Sequence, residues 1–130
     1  MTAPLDSKNT GKNKELGLPH SEDGKMEKVA ICFDVDGTLI DGEGTYTLMS
    51  TIISAFTTQR WKNVDVIVWS GGGKDYARTI TERVVPATEG IKYHSKLEHL
   101  ELRKKYAKLI AIDDIQDTRL GDVNMIVRNK

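Results

Sequence analysis

The chain has 130 residues, with 19 Lys and Arg against 19 Asp and Glu, so its formal net charge is zero and no global field steers it toward nucleic acid or an anionic membrane. At 38% hydrophobic and 29% charged it has the make-up of one ordinary water-soluble domain. A single cysteine, Cys32, excludes an internal disulfide and any multi-cysteine zinc site. No apolar run approaches the roughly 20 residues that span a bilayer. The opening MTAPLDSKNTGKNK lacks the apolar stretch of a secretory signal, so a cytoplasmic setting is expected. Residues 1–26 carry few apolar side chains, in no helical or strand period, and are expected to be a disordered tail ahead of one folded core over 27–130.

From Lys28 onward, strand and helix patterns alternate. Val29 to Phe33 (VAICF) is a short apolar run ending in Asp34, as expected for a strand buried on both faces. Residues 46–60 place Leu48, Ile52, Ile53 and Phe56 at helical spacing. Val64 to Trp69 (VDVIVW) predicts a second buried strand, closed by Ser70 and by Gly71, Gly72 and Gly73. A helix is predicted at about 74–85, where Tyr76, Ala77, Ile80, Val84 and Val85 share a face, and Pro86 and Gly90 end it. A short strand over 91–94, a charged amphipathic helix over 96–107, a strand over 109–112 and an edge strand over 123–127 complete the series. Such alternation implies right-handed crossovers onto a mostly parallel sheet of about five strands, an α/β doubly wound fold.

In a fold of this class ligands bind beyond the carboxyl ends of the strands, near the point where strand order reverses. The first strand is followed by Asp34, Asp36, Gly37 and Thr38, the second by Ser70 and three glycines, and the strand at 109–112 by Asp113 and Asp114. Four carboxylates and a hydroxyl would then meet at one sheet edge. Like charges crowded there are costly unless a cation neutralises them, and an all-oxygen ligand set selects a hard divalent ion, Mg²⁺ before Zn²⁺. The i, i+2 spacing of Asp34 and Asp36 puts both side chains on the same side of an extended chain. Gly37 permits the sharp turn that presents backbone N–H groups to phosphate oxygens.

Asp34-Val35-Asp36-Gly37-Thr38 after an apolar strand, Ser70 ending the next strong strand and Asp113-Asp114 ending a later one resemble motifs I, II and IV of the haloacid dehalogenase (HAD) superfamily. The resemblance covers nearly all of residues 28–130. It implies a Rossmann-like three-layer fold, Mg²⁺, and phosphoryl transfer through an aspartyl-phosphate. Carried over residue by residue, it makes Asp34 the nucleophile and Asp36 the acid that protonates the leaving oxygen and then the base that activates water. Ser70, with Gly37, Thr38 and Gly71 nearby, would hold the phosphoryl group. Asp114 would complete a metal site with Asp34 and the backbone carbonyl of Asp36, with Asp113 in support. Independently of the family, a carboxylate is a sound phosphate nucleophile, because at its ordinary pKa it is ionised at neutral pH and it splits one hard displacement into two easier ones. For the lysine of motif III, Lys96 follows the short strand and opens the next helix, whereas Lys105 in KKYAKLIAIDD matches a shorter spacing to the paired aspartates; Lys92 and Lys104 are further alternatives.

Other readings of these residues are structural. A calcium loop also opens D-x-D-G, but Thr38 takes its third ligand position and no helix-loop-helix pattern surrounds it. Gly42-Glu43-Gly44 and Gly71-Gly72-Gly73-Lys74 complete no nucleotide-binding motif and are expected to be turns. Ser70 alone could cap the next helix, and Asp117 fits a solvated loop acid as well as a partner of Asp114. His94 and His99 have no partner set and are expected at the surface, Cys32 in the core, and Trp61 and Trp69 in packing roles. The stretches from Leu39 to Trp69 and from Gly71 to Ile112 are already filled by predicted elements, so neither holds a cap domain, and DGEGTY at 41–46 supplies at most a small flap. An open site suits a phosphate on a nucleic acid end or a phosphoprotein, or a small ester enclosed by a neighbouring subunit, although the net charge does not favour nucleic acid. Two function classes follow: a Mg²⁺-dependent phosphatase, and a HAD-fold binding module without turnover.

Overall fold

The computed structural model of the chain describes residues 25–42, 44–115 and 119–128. The tail expected over 1–26 lies outside the described residues up to position 24, as do Glu43 of the expected flap and Asp117. Among the described residues seven strands and three helices follow in chain order: β1 Met26–Asp34, β2 Ile40–Asp41, β3 Gly44–Thr45, α1 Thr47–Gln59, β4 Val64–Ser70, α2 Lys74–Val84, β5 Lys92–Ser95, α3 His99–Lys105, β6 Tyr106–Asp113 and β7 Val123–Ile126. A 3₁₀ turn, Lys96–Glu98, leads into α3.

Five strands form one parallel sheet in the order β5-β4-β1-β6-β7. Side chains alternate across the pleat, so β1 sends Phe33 to one face and Ala30 and Cys32 to the other. On the first face Phe33, Val66 and Val68 pack against Met49 and Ile53 of α1 and Ala77 and Ile80 of α2. On the second, Cys32, Ile67, Trp69 and Leu109 pack against Leu102 of α3. The result is the three-layer α/β arrangement expected from the alternation. Among the described residues nothing but the β2–β3 hairpin intervenes between the loop after β1 and α1, and no cap is present. No described helix is long and apolar enough to cross a membrane.

Two details differ from the sequence pattern. Leu48 is 73% exposed, because the buried stripe of α1 runs through Met49, Ser50, Ile53 and Thr57, one position further on. The stripe tolerates hydroxyls because each finds a carbonyl, Thr57 on Ile53 and Ser50 on Val84 at the end of α2. The third helix stops at Lys105 and β6 begins at Tyr106, three residues before the expected strand. Tyr106 pairs with Met26 in the sheet, and its hydroxyl donates to the buried Asp65 at 2.6 Å, so tertiary bonds decide the boundary.

Candidate active site

Chain direction and register bring the chemistry to one place. β1 runs to β4 and then β5 on one side, and the chain returns past β1 to reach β6, so strand order reverses at β1. Phe33 pairs with Ile112 and Ser70 with Ser95, and the next residues along are Asp34, Asp113 and Lys96. All four elements thus end at the same carboxyl edge of the sheet.

Asp34 is only 4% exposed. Its Oδ1 lies 2.6 Å from Lys96 Nζ, and Thr38 donates to its Oδ2 at 3.2 Å. The same ammonium reaches Asp113 Oδ2 at 2.7 Å, while Ile115 N–H donates to Asp113 Oδ1 at 3.1 Å. Each of Asp34, Asp113 and Asp114 offers one oxygen to a group whose atoms lie within 4.8 Å of one another. Burial pushes the Asp34 carboxyl up to about 7, against the opposing pull of Lys96. Burial also acts on Asp113, but there bonds from Lys96 and Asp114 outweigh it and hold the group below the usual carboxylate range. Asp114 is raised, first by burial and then by the neighbouring Asp113.

Whether these residues fit a metal is decided by charge and by an unsatisfied atom. One ammonium faces three carboxylates, and two like charges at about 4 Å repel by roughly 4 kcal/mol at an effective dielectric constant near 20. Asp114 Oδ1 is buried with no hydrogen-bond partner, although buried polar atoms normally have one. Asp114 also depends on Gly37, which has φ +86° and where a Cβ would sit 2.0 Å from Asp114 Oδ2. An all-carboxylate group with an orphaned oxygen suits a hard divalent cation.

The other expected residues divide. Asp36 is exposed and its carboxylate stands apart from the three-acid group; its Oδ1 accepts from the hydroxyl of Tyr76 at 2.8 Å. Gly37 donates its N–H to Ile40 O at 2.7 Å, and the glycine serves the turn and the close approach of Asp114. Thr38 is fully buried, and its hydroxyl is directed at Asp34. Ser70 is 1% exposed and accepts from Gly72 N–H at 2.9 Å, and Gly71 lies exposed in the loop that follows. The structure brings Lys96, and not Lys105, to the site. Lys105 ends α3 at the start of β6, the opposite edge of the sheet, where Lys104 also lies exposed, and Lys92 is paired with Asp65 at 3.2 Å.

Lys96 owes its position to a capping box. Ser95 Oγ accepts from Leu97 N–H, Ser95 N–H donates to Glu98 Oε2 at 3.0 Å, and Glu98 Oε1 pairs with His94 Nδ1 at 2.9 Å. His94 is therefore a half-buried partner of Glu98, and His99 is likewise half-buried, where both were expected at the surface. Cys32 and Trp69 are fully buried in the core, and Trp61 packs on Phe56 with ring centroids 5.2 Å apart. Tyr76 and Glu98 are the two site residues that motif spacing passed over. The S-x-x-E spacing of Ser95 and Glu98 is a visible signal for the second, whereas nothing local marks the first. Comparison with family models, curated proteins and solved structures finds no match for this chain.

Proposed function

We propose that the protein is a Mg²⁺-dependent phosphohydrolase of the HAD type, which cleaves phosphate monoesters through an aspartyl-phosphate on Asp34. The observation that carries this reading is Lys96 bridging Asp34 and Asp113 beside Asp114, whose buried Oδ1 lacks a partner. Asp34, Asp113 and Asp114 would hold the cation, which when bound supplies positive charge that screens the approach of a phosphate dianion to a carboxylate.

The chain's own residues supply the rest. Lys96 keeps Asp34 fixed and offsets negative charge as the phosphoryl group arrives. Ser70 donates its O–H to a phosphoryl oxygen. An Asp34 oxygen forms the bond to phosphorus, the bond to the leaving oxygen breaks, and Asp36 gives that oxygen its proton. Water then attacks phosphorus, its proton returns to Asp36, and the Asp34 carboxylate is regenerated with release of hydrogen phosphate. Among the described residues no cap covers the site, which suits a phosphorylated macromolecule or a small ester that a second copy of the chain encloses. Cys32, buried and free, suits a reducing cytoplasmic setting, where we place the reaction.

Hydrolysis of p-nitrophenyl phosphate with Mg²⁺ or with chelator tests the reading. Turnover that requires Mg²⁺ and is lost in Asp34→Asn is expected. A wild-type rate equal to that of Asp34→Asn would overturn it in favour of a binding module. Beryllofluoride with Mg²⁺, a mimic of the aspartyl-phosphate, is expected to raise the melting temperature of wild type and not of Asp34→Asn.

A further inference from the structure

Tyr76 enters from α2, an element that contributes none of the motif residues. Its hydroxyl donates to Asp36 Oδ1 at 2.8 Å across forty positions of sequence. Its ring lies over the loop that follows Ser70: a Cβ added to Gly72 would meet Tyr76 Cδ2 at 3.3 Å and Ser70 Oγ at 3.4 Å. The ring is also half-buried against the core face formed by α1 and α2. Asp36, by contrast, is exposed, and a carboxylate in that setting rotates freely unless something holds it.

We propose that Tyr76 is a positioning residue for proton transfer at the site: by occupying Oδ1 of Asp36 it reserves Oδ2 to carry the proton exchanged with the leaving oxygen and with water. The inference rests on the phosphatase reading. In the first step the Asp34 oxygen–phosphorus bond forms, the bond from phosphorus to the leaving oxygen breaks, and the proton on Asp36 Oδ2 passes to that oxygen. In the second a water oxygen bonds phosphorus, the Asp34 oxygen–phosphorus bond breaks, and the water proton returns to Oδ2. Tyr76 keeps its own proton throughout. A fixed acid matters most where the leaving group is a poor one, because an alkoxide must be protonated as it departs whereas an acidic phenol leaves as its anion.

The test compares Tyr76→Phe with wild type on an alkyl phosphate and on 2,4-dinitrophenyl phosphate, with Mg²⁺ present. The phenylalanine ring keeps the packing over Gly72, and the melting temperature verifies that the fold is retained. We expect kcat/KM for the alkyl phosphate to fall about tenfold and that for the dinitrophenyl ester to stay within about twofold, since general acid catalysis contributes on the order of a hundredfold or more. In an Asp36→Asn background the same substitution is expected to change neither rate. An equal fall on both substrates, no fall on either, or an undiminished effect in the Asp36→Asn background overturns the role of Tyr76 while leaving the phosphatase reading intact. Wild-type protein without Asp34-dependent turnover overturns both.

Discussion

Gly37 holds φ at +86°, and a Cβ there would lie 2.0 Å from Asp114 Oδ2. Gly37→Ala therefore carries two costs, a left-handed backbone at about 1–2 kcal/mol for an L side chain and displacement of a carboxylate from the three-acid group. The variant is expected to lose about that much stability in urea and also the rise in melting temperature expected of wild type with Mg²⁺. An alanine variant that responds to Mg²⁺ as wild type does would exclude Asp114 from the metal site. Asp34 adds a pH dependence. Burial holds its carboxyl near 7, and Asp114 is raised as well, so a cation must displace protons below that pH. Mg²⁺ affinity is accordingly expected to climb as pH rises toward about 7, by up to roughly tenfold per unit for one proton released, and to level off above it. Calorimetric titration at pH of about 5.5, 6.5 and 8 checks this, and an affinity that ignores pH would contradict it.

At the scale of elements, the turn Lys96–Glu98 shows how local sequence delivers a charge to a distant strand end. Ser95 and Glu98 close the turn on itself, and His94 holds Glu98 from the strand side, so Lys96 enters the site from a braced backbone. Glu98→Ala is expected to cost about 1 kcal/mol of stability and to reduce turnover several-fold, because Lys96 loses its fixed origin. Glu98→Gln, which preserves the capping geometry, is expected to restore both. Stability that drops without any change in turnover would mean that Lys96 finds Asp34 and Asp113 without help from the turn. Elements of this kind were legible wherever the pattern is local. The apolar runs VAICF and VDVIVW form buried strands, and the stripe of Ala77 and Ile80 in α2 faces the sheet. Leu48 was not legible, because a helix with apolar residues at adjacent positions offers two overlapping stripes and only packing against β4 and α2 selects between them.

The whole molecule separates two polar systems by the length of its sheet. Asp34, Lys96, Asp113 and Asp114 crowd the carboxyl edge, and their convergence was legible because strand ends in a doubly wound fold share that edge. At the far end Asp65 is buried between Lys28 Nζ at 2.8 Å, Lys92 Nζ at 3.2 Å and Tyr106 OH at 2.6 Å, a set drawn from four different strands. No spacing rule gathers such residues, for each side chain is unremarkable in its own segment. Burial pushes the Asp65 carboxyl up, but the bonds from Lys28, Tyr106 and Lys92 outweigh it and hold the folded value below the ordinary one. A carboxylate lowered on folding stabilises fully above its unfolded pKa of about 3.9 and loses that contribution as pH falls through the folded value. Asp65→Asn is therefore expected to cost about 2 kcal/mol at neutral pH, the scale of hydrogen bonds to a charged group in which both lysines keep access to water. The gap between variant and wild type should shrink as pH drops below about 4, which urea unfolding across that range measures. Ser70 lies five residue steps along β4 from Asp65, about 17 Å at strand rise. Under the proposed function the variant is consequently expected to hydrolyse p-nitrophenyl phosphate at the wild-type rate at temperatures where it stays folded, and a slower rate there would mean that the two ends of the sheet are coupled.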